Sequence, residues 1–441
     1  MKSKLVALFL LLTSSAYGIT LEKAIETALK KNNLILAKRY ELKEKESDLK
    51  ISKLHLLPTI DLYSEYNKTT DPPYAIMNRM EVHDLNMVST NFNDPGKSQL
   101  FKTGVRATVP IWFGGKLRIN TDLKKKEVEA TKKQLKKDIE KVIFDVVNAY
   151  YNLLTAKAFV ETAQLAVKDA EKRLKDAEVT YRSGLGLKSD YLRAKVYLKE
   201  MEENLVKAKS NYEIAKRALN LAIGLPISHQ IEVNEDLTFK NFQFNLSDLI
   251  KTALKNRPEL KELRVRLSQA KDMERLARSD FSPRIGAFGD YFIASDKAPW
   301  NKENSSWVFG VQASLNIFDG GIKFEKLRKS RISQLKIKEY IEKAKKGIEF
   351  EVSKAYFRFQ EAKKRVELAE EAIREAQESL RIVEKRYKNG LATISGLLDT
   401  QTALNQARSN YVAALSAYRR AVAEIYYAEG ILKNRYLDLA N

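Results

Sequence analysis

The 441 residues contain no cysteine and only three histidines, His55, His83 and His229. Without thiols there is no disulfide, no thiolate metal site and no sulfur nucleophile. No two histidines share a metal-ligand spacing, so zinc has no ligand set. Met77, Met80 and Met87 gather around His83 and offer the soft donors that copper-like ions take. They stand in a polar stretch with prolines, however, and read as part of a surface loop. No phosphate-binding glycine loop, nucleophile elbow or catalytic carboxylate pair is present. The chain is therefore expected to be no enzyme and to need no cofactor.

The function must then lie in shape and surface, which the long elements supply. Between Gly115 and Gly184 there is neither glycine nor proline, so nothing interrupts a helix. Ile139, Val146, Leu153, Val160, Val167, Leu174 and Tyr181 recur every seventh residue. Val142, Ala149, Ala156, Ala163, Ala170 and Ala177 recur three positions later. Large residues alternating with alanine at about 3.5-residue spacing make a coiled-coil seam, one in which a partner helix can approach closely. At 1.5 Å per residue the run is roughly 100 Å long. That is too long for the interior of a compact domain.

Charged residues make up 31% of the chain and the net charge is +21. Such a balance suggests nucleic acid, but no basic block stands free of acidic neighbours: Lys124, Lys125 and Lys126 lead directly to Glu127 and Glu129. Solvated helix faces account for the excess, and no nucleic-acid partner is expected. The start reads as a basic Lys2 and Lys4, an apolar Leu5 to Leu12, and small residues at Ala16 and Gly18. That order describes a signal peptide over residues 1–18 and an exported mature chain.

The chain then repeats itself. Leu21, Ile25, Ala28 and Leu29 match Leu246, Ile250, Ala253 and Leu254 at an offset of 225, and Pro58 matches Pro283. From Ile111 onward the offset is 206: Gly114-Gly115 meets Gly320-Gly321, Gly184 meets Gly390, and Gly224 meets Gly430. The lost 19 residues all fall between Pro58 and Gly114, so the helices are locked in length while a loop varies. The expected layout is a first repeat over 19–226, with a helix, strand 59–66, loop 67–102, strand 103–112, long helix 116–183 and return helix 187–223. A linker at 227–245 precedes the second repeat at 246–430, with a helix, strands 284–294 and 306–318, long helix 322–389 and return helix 393–429. Residues 431–441 form a tail.

The clearest strand carries Trp307, Phe309, Val311, Ala313, Leu315 and Ile317 on one face and polar or small residues on the other. An apolar face of that length on an exported protein suits lipid, with the polar face toward water. Four strands cannot close a barrel, and an open edge cannot sit in lipid. Several chains must then pool their strands.

The signal peptide, the Gly-Gly after a strand (Phe113-Gly114-Gly115, Asp319-Gly320-Gly321) and the hairpin turns at Tyr181 to Leu185 and Tyr387 to Leu391 resemble the outer-membrane efflux protein family. The resemblance covers nearly the whole mature chain. It implies a TolC-like fold, mainly α with a small β part: an α-helical coiled-coil barrel plus four antiparallel transmembrane strands per chain, pooled by a homotrimer into twelve. It implies an outer-membrane protein lying mostly in the periplasm. Such a protein is the passive exit duct of a tripartite efflux pump or a type I secretion system, gated at its periplasmic tip. Its partners would be a periplasmic adaptor (membrane fusion) protein, an inner-membrane RND or ABC transporter, and outer-membrane lipid. Ser183, Gly184, Leu185, Asn389, Gly390 and Leu391 would form the adaptor-docking tips, and Gly114, Gly115, Gly320 and Gly321 the strand-to-helix junctions. Asp399, Asp190 and Tyr387 match the family's gate. Ala392 and Gly396 stand where charged gate residues are expected, so the closed tip would be held more weakly or by other contacts. The alternative reading is a coiled-coil scaffold without a pore.

Overall fold

The computed structural model describes residues 18–300 and 304–437. The signal peptide, apart from Gly18, lies outside the described residues, as do the last four residues of the tail. The chain divides into two compact units. One holds the residues through Tyr40, Lys133–Lys261 and those from Glu342 onward; the other holds Glu41–Lys132 and Glu262–Ile341.

In chain order the elements are α1 (Leu21–Lys31), α2 (Asn33–Leu54), β1 (Thr59–Thr69), α3 (Pro72–Glu81), β2 (Ser98–Phe113), α4 (Lys116–Arg182) and α5 (Lys188–Ile223). The second half adds α6 (Leu246–Asn256), α7 (Pro258–Ser279), β3 (Arg284–Ser295), β4 (Asn304–Ser314), α8 (Ile322–Lys388), α9 (Ile394–Glu429) and the short α10 (Leu432–Leu437). The two long helices have 67 residues each and the two return helices 36 each.

The first unit is helical. At several of its helix starts, side chains take up free backbone N–H groups. The Thr20 hydroxyl accepts from Lys23 N at α1, and Asn245 accepts from Ser247 N and Asp248 N at α6. Between α1 and α2, Asn32 leaves helical geometry while its side chain accepts from Leu34 N and donates to the carbonyl of Ala222. Its counterpart Arg257 breaks the second repeat in the same place, before Pro258 opens α7. The core gathers Ile25, Val146, Tyr150, Leu153, Leu219 and Ile223, all fully buried. Linker residues 227–245 form no helix or strand but are bound to α9: Tyr418 donates to Lys240 O at 2.8 Å and accepts from Phe242 N.

The second unit carries one antiparallel sheet in the order β1-β2-β3-β4. Pro110 sits at the register shift of β2, where its missing N–H is tolerated. Below the sheet, helix ends are joined by charged contacts. Arg266 Nη1 lies 2.6 Å from Glu127, which also accepts from Gln269, and Lys126 pairs with the buried Asp272. Glu274 is held down to about 2 by hydrogen bonds from Arg278, Gln334 and Arg331.

The strands differ in extent from the expectation. β1 runs on to Thr69 and β2 begins at Ser98, so the expected loop 67–102 loses both its ends to the sheet and folds its middle into α3. The Tyr66 and Phe101 rings, 4.7 Å apart, extend the pairing there. β4 stops earlier than expected, at Ser314, because its partner β3 begins at Arg284, opposite that residue. Leu315 and Ile317, placed on the strand from sequence, lie beyond it in a segment whose Asn316 carbonyl is taken by Lys323 of α8.

Candidate functional site

Two regions can do work: the tips of the helical hairpins and the faces of the sheet. At both tips the chain leaves a long helix in the same way. Leu185 N bonds to Thr180 O and Gly184 N to Tyr181 O; Leu391 N bonds to Arg386 O and Gly390 N to Tyr387 O. This paired closure demands a left-handed residue, and Gly184 (φ +74°) and Gly390 (φ +72°) supply it. Ser183 Oγ donates to Thr180 O, and the Tyr181 and Tyr191 rings stack across the first turn. Asn389 closes onto Lys385 and Arg386. Each tip leaves a leucine uncovered, Leu185 at 86% and Leu391 at 68% exposure.

Asp190 lies in the first turn of α5 and Tyr387 at the end of α8. Burial raises the Tyr387 phenol above its ordinary range, and the Asp190 carboxylate adds to the rise. Among the described residues no side-chain hydrogen bond joins the two. Asp399 is exposed on α9. Gly396 leaves its N–H to the Thr393 cap, at 3.2 Å, and Ala392 is partly buried in the turn. Arg193 instead bridges the two hairpins by donating to Ser395 Oγ at 2.7 Å.

Deeper in the bundle lies a polar cluster that sequence reasoning missed. Arg173 on α4 is 6% exposed and meets Glu384 of α8 at 3.1 Å through each guanidinium prong. It also reaches Gln401 of α9, which is 1% exposed and donates to Asp169; Asp169 in turn pairs with Arg408. Hydrogen bonds from Arg173 hold the Glu384 carboxyl down to about 2. The apolar residues around it include Ala170, Leu198, Leu380 and Leu397. One signal was readable: Gln401 falls at seam spacing between Leu397 and Leu404, where an apolar residue belongs.

The sheet is two-faced. Register puts Ile60, Leu62, Tyr66, Val105, Tyr291, Trp307, Phe309 and Val311 on one face. All are exposed, Trp307 at 78% and Phe309 at 69%. Ala313 continues this row to the strand end, and a polar pair within it, Ser64 and Thr103, is joined at 2.8 Å; Lys68 and Gln99 end the face at the loop side. The opposite face carries Asp61, Tyr63, Glu65, Lys102, Arg106, Asp290 and Gln312. There Asp290, 8% exposed, accepts from Tyr63 at 3.0 Å and from Arg106 at 2.8 Å, joining three strands. Below the sheet, Gly114, Gly115, Gly320 and Gly321 all have positive φ and turn strand into helix.

Among the described residues no helix is long and apolar enough to cross a membrane, and no group of His, Asp and Glu could hold a metal ion.

The chain matches the family model described as "Outer membrane efflux protein" over residues 24–225 and 249–430. A search of curated proteins found no match. Among solved structures, the CmeC outer membrane channel of Campylobacter jejuni superposes with a TM-score of 0.77 at 18% identity, covering 93% of this chain and 85% of that one. VceC of Vibrio cholerae gives 0.75 at 18%, covering 93% and 96%. The MtrE channel of Neisseria gonorrhoeae, solved in its open state, gives 0.75 at 20%, covering 93% and 88%.

Proposed function

Because this chain belongs to the outer membrane efflux protein family, a family of channel proteins rather than enzymes, we propose that it is the exit duct of a tripartite efflux pump or a type I secretion system. Its place is the outer membrane, and most of the chain is periplasmic helix. The observation that carries the proposal is the two-faced sheet. Its apolar face suits lipid, its polar face suits a water-filled lumen, and its two outer edges, on β1 and β4, are unpaired among the described residues. Three copies would join edge to edge into a barrel of twelve strands, with the helical hairpins forming a tunnel below.

In this reading the hairpin tips at Gly184 and Gly390 dock a periplasmic adaptor protein, and the uncovered Leu185 and Leu391 are its apolar anchors. An RND or ABC transporter supplies the energy and selects the cargo, and the duct itself is passive. Asp190, Tyr387 and Asp399 contribute to the gate at the tip. The Arg173 cluster supplies holding contacts that Ala392 and Gly396 cannot. A carboxylate ring at Asp399 favours cations at the narrowest point.

Outer-membrane fractionation and planar-bilayer conductance of the purified protein test the proposal. A trimer that conducts, with Asp190→Ala raising the open fraction, supports it. A soluble product with no conductance would favour the scaffold.

A further inference from the structure

The segment that sequence reads as a loop between β1 and β2 contains α3, and α3 is not a free excursion. Its buried side carries Ala75, fully buried, and Asn78, 5% exposed. Asn78 donates to Asn67 of β1 at 2.7 Å, Glu81 accepts from Lys102 of β2 at 3.2 Å, and the carbonyl of Val82 accepts from Asn304 of β4. Lys102 in turn lies over the Phe292 ring of β3. Leu100 of β2, 4% exposed, is buried in the same region.

Asn67 pairs with Leu100, and two residues further along β2 Lys102 pairs with Ala294, which pairs with Asn304; all five belong to the polar face of the sheet. The helix therefore lies over the polar face at the loop end, fastened to strands across the sheet's width. A surface loop facing outward would have no reason to make these contacts.

The side of α3 turned away from the sheet is apolar and uncovered. Tyr74 is 63% exposed, Met77 56% and Met80 57%. At 100° per residue Met77 and Met80 lie opposite Ala75 and Asn78, with Tyr74 flanking them. A water-filled lumen gives an isolated stripe of this kind nothing to pack on. We propose that the α3 stripes of neighbouring copies of this chain pack on one another inside the barrel and form an apolar gate at its outer mouth. The proposal rests on the reading of the sheet as one third of a twelve-stranded barrel.

The dimensions agree. Twelve tilted strands enclose about 24 Å from backbone to backbone, and three helices about 10 Å wide fill most of that section. An apolar constriction of this kind closes by excluding water, without a charged latch. The duct would then have a closure at each end, charged at the periplasmic tip and apolar at the outer mouth.

Single-channel conductance of wild type and of the triple variant Tyr74→Ser, Met77→Ser, Met80→Ser tests this, because polar replacements let the gap wet while the anchoring residues stay. Conductance is expected to rise about twofold or more. The chain has no cysteine, so Met77→Cys gives a single reactive thiol per copy. A short bis-maleimide is expected to link it to a second copy in the assembled protein. Unchanged conductance in a variant that still inserts and conducts, with no cross-link at Met77→Cys, overturns the gate and leaves the duct standing. If neither wild type nor variant inserts or conducts, the duct reading falls and the gate falls with it.

Discussion

Arg173 and Glu384, 211 residues apart in sequence, meet in a two-pronged ion pair at 3.1 Å that joins the two long helices, with Gln401 closing the third side. At the repeat offset of 206 the equivalents of Arg173 and Gln401 are Ser379 and Lys195. The contact is thus absent from the symmetry of the duplicated chain. It belongs to one arrangement of the two hairpins only.

Arg173→Met is expected to destabilise the helical unit by about 2 kcal/mol, because Glu384 and Gln401 lose their buried partner while Lys388 and Lys172 still face the carboxylate. Glu384 titrates below its ordinary range, so its contribution is complete above that range and is lost as pH falls toward 2. Thermal melts followed by helix circular dichroism at pH 7 and pH 3 check both points: the gap between wild type and variant should narrow in acid.

Glu429 works in the opposite direction. Burial pushes its carboxyl up to about 7, against the pull of Arg435. The folded state then holds a proton that the unfolded chain releases, so stability declines as pH rises from the ordinary carboxyl range to about 7. Glu429→Gln should remove this slope and be the more stable form at pH 8, by up to about 3 kcal/mol. Denaturant melts at pH 5 and pH 8 give the comparison.

Gly114 and Gly320 are repeat partners with the same backbone conformation but different surroundings. A Cβ at Gly114 would lie 2.6 Å from Ser279 O and 2.7 Å from Ser282 Cβ, whereas one at Gly320 meets nothing within 4 Å. Both alanine variants carry the left-handed penalty of about 1–2 kcal/mol. Gly114→Ala adds a backbone clash, so its melting temperature should drop clearly further than that of Gly320→Ala.

Phe309 and Gln312 sit on opposite faces of β4. Phe309→Arg should weaken membrane insertion by about 2–4 kcal/mol, and Gln312→Arg should leave it nearly unchanged. Refolding into lipid vesicles across a urea series measures the difference. Equal effects would contradict the assignment of faces.

The overall architecture was legible because its signals are long. Ladders such as Ile139 to Tyr181 run for many turns without a breaker, and the repeat reads the same pattern twice. Strand ends were less legible. Lys68 and Gln99 pair with each other, but nothing local distinguishes them from loop residues. Helix α3 was hidden because it is short and opens on two prolines, which serve equally as helix starters and as loop markers. The Arg173 cluster was hidden by abundance, since one arginine among so many basic residues gives no sign that its partner lies on a distant helix. At the tip, Tyr387 feels the Asp190 carboxylate without a hydrogen bond to it, Asp399 is exposed on α9, and Arg193 makes a bond between the hairpins that its sequence neighbours do not announce.

The Asp290 carboxylate, gripped by Tyr63 and Arg106 from two neighbouring strands, bears on how such a protein is made. The bonds that tie the register of three adjacent strands all lie within one chain and need no residue of another copy. Only the free edges of β1 and β4 remain to be matched. In the proposed barrel, assembly then matches a few panels instead of many loose strands. The hazard is local: the two bare edges of an unassembled chain are where unpaired strand is exposed, and where another chain can add to it.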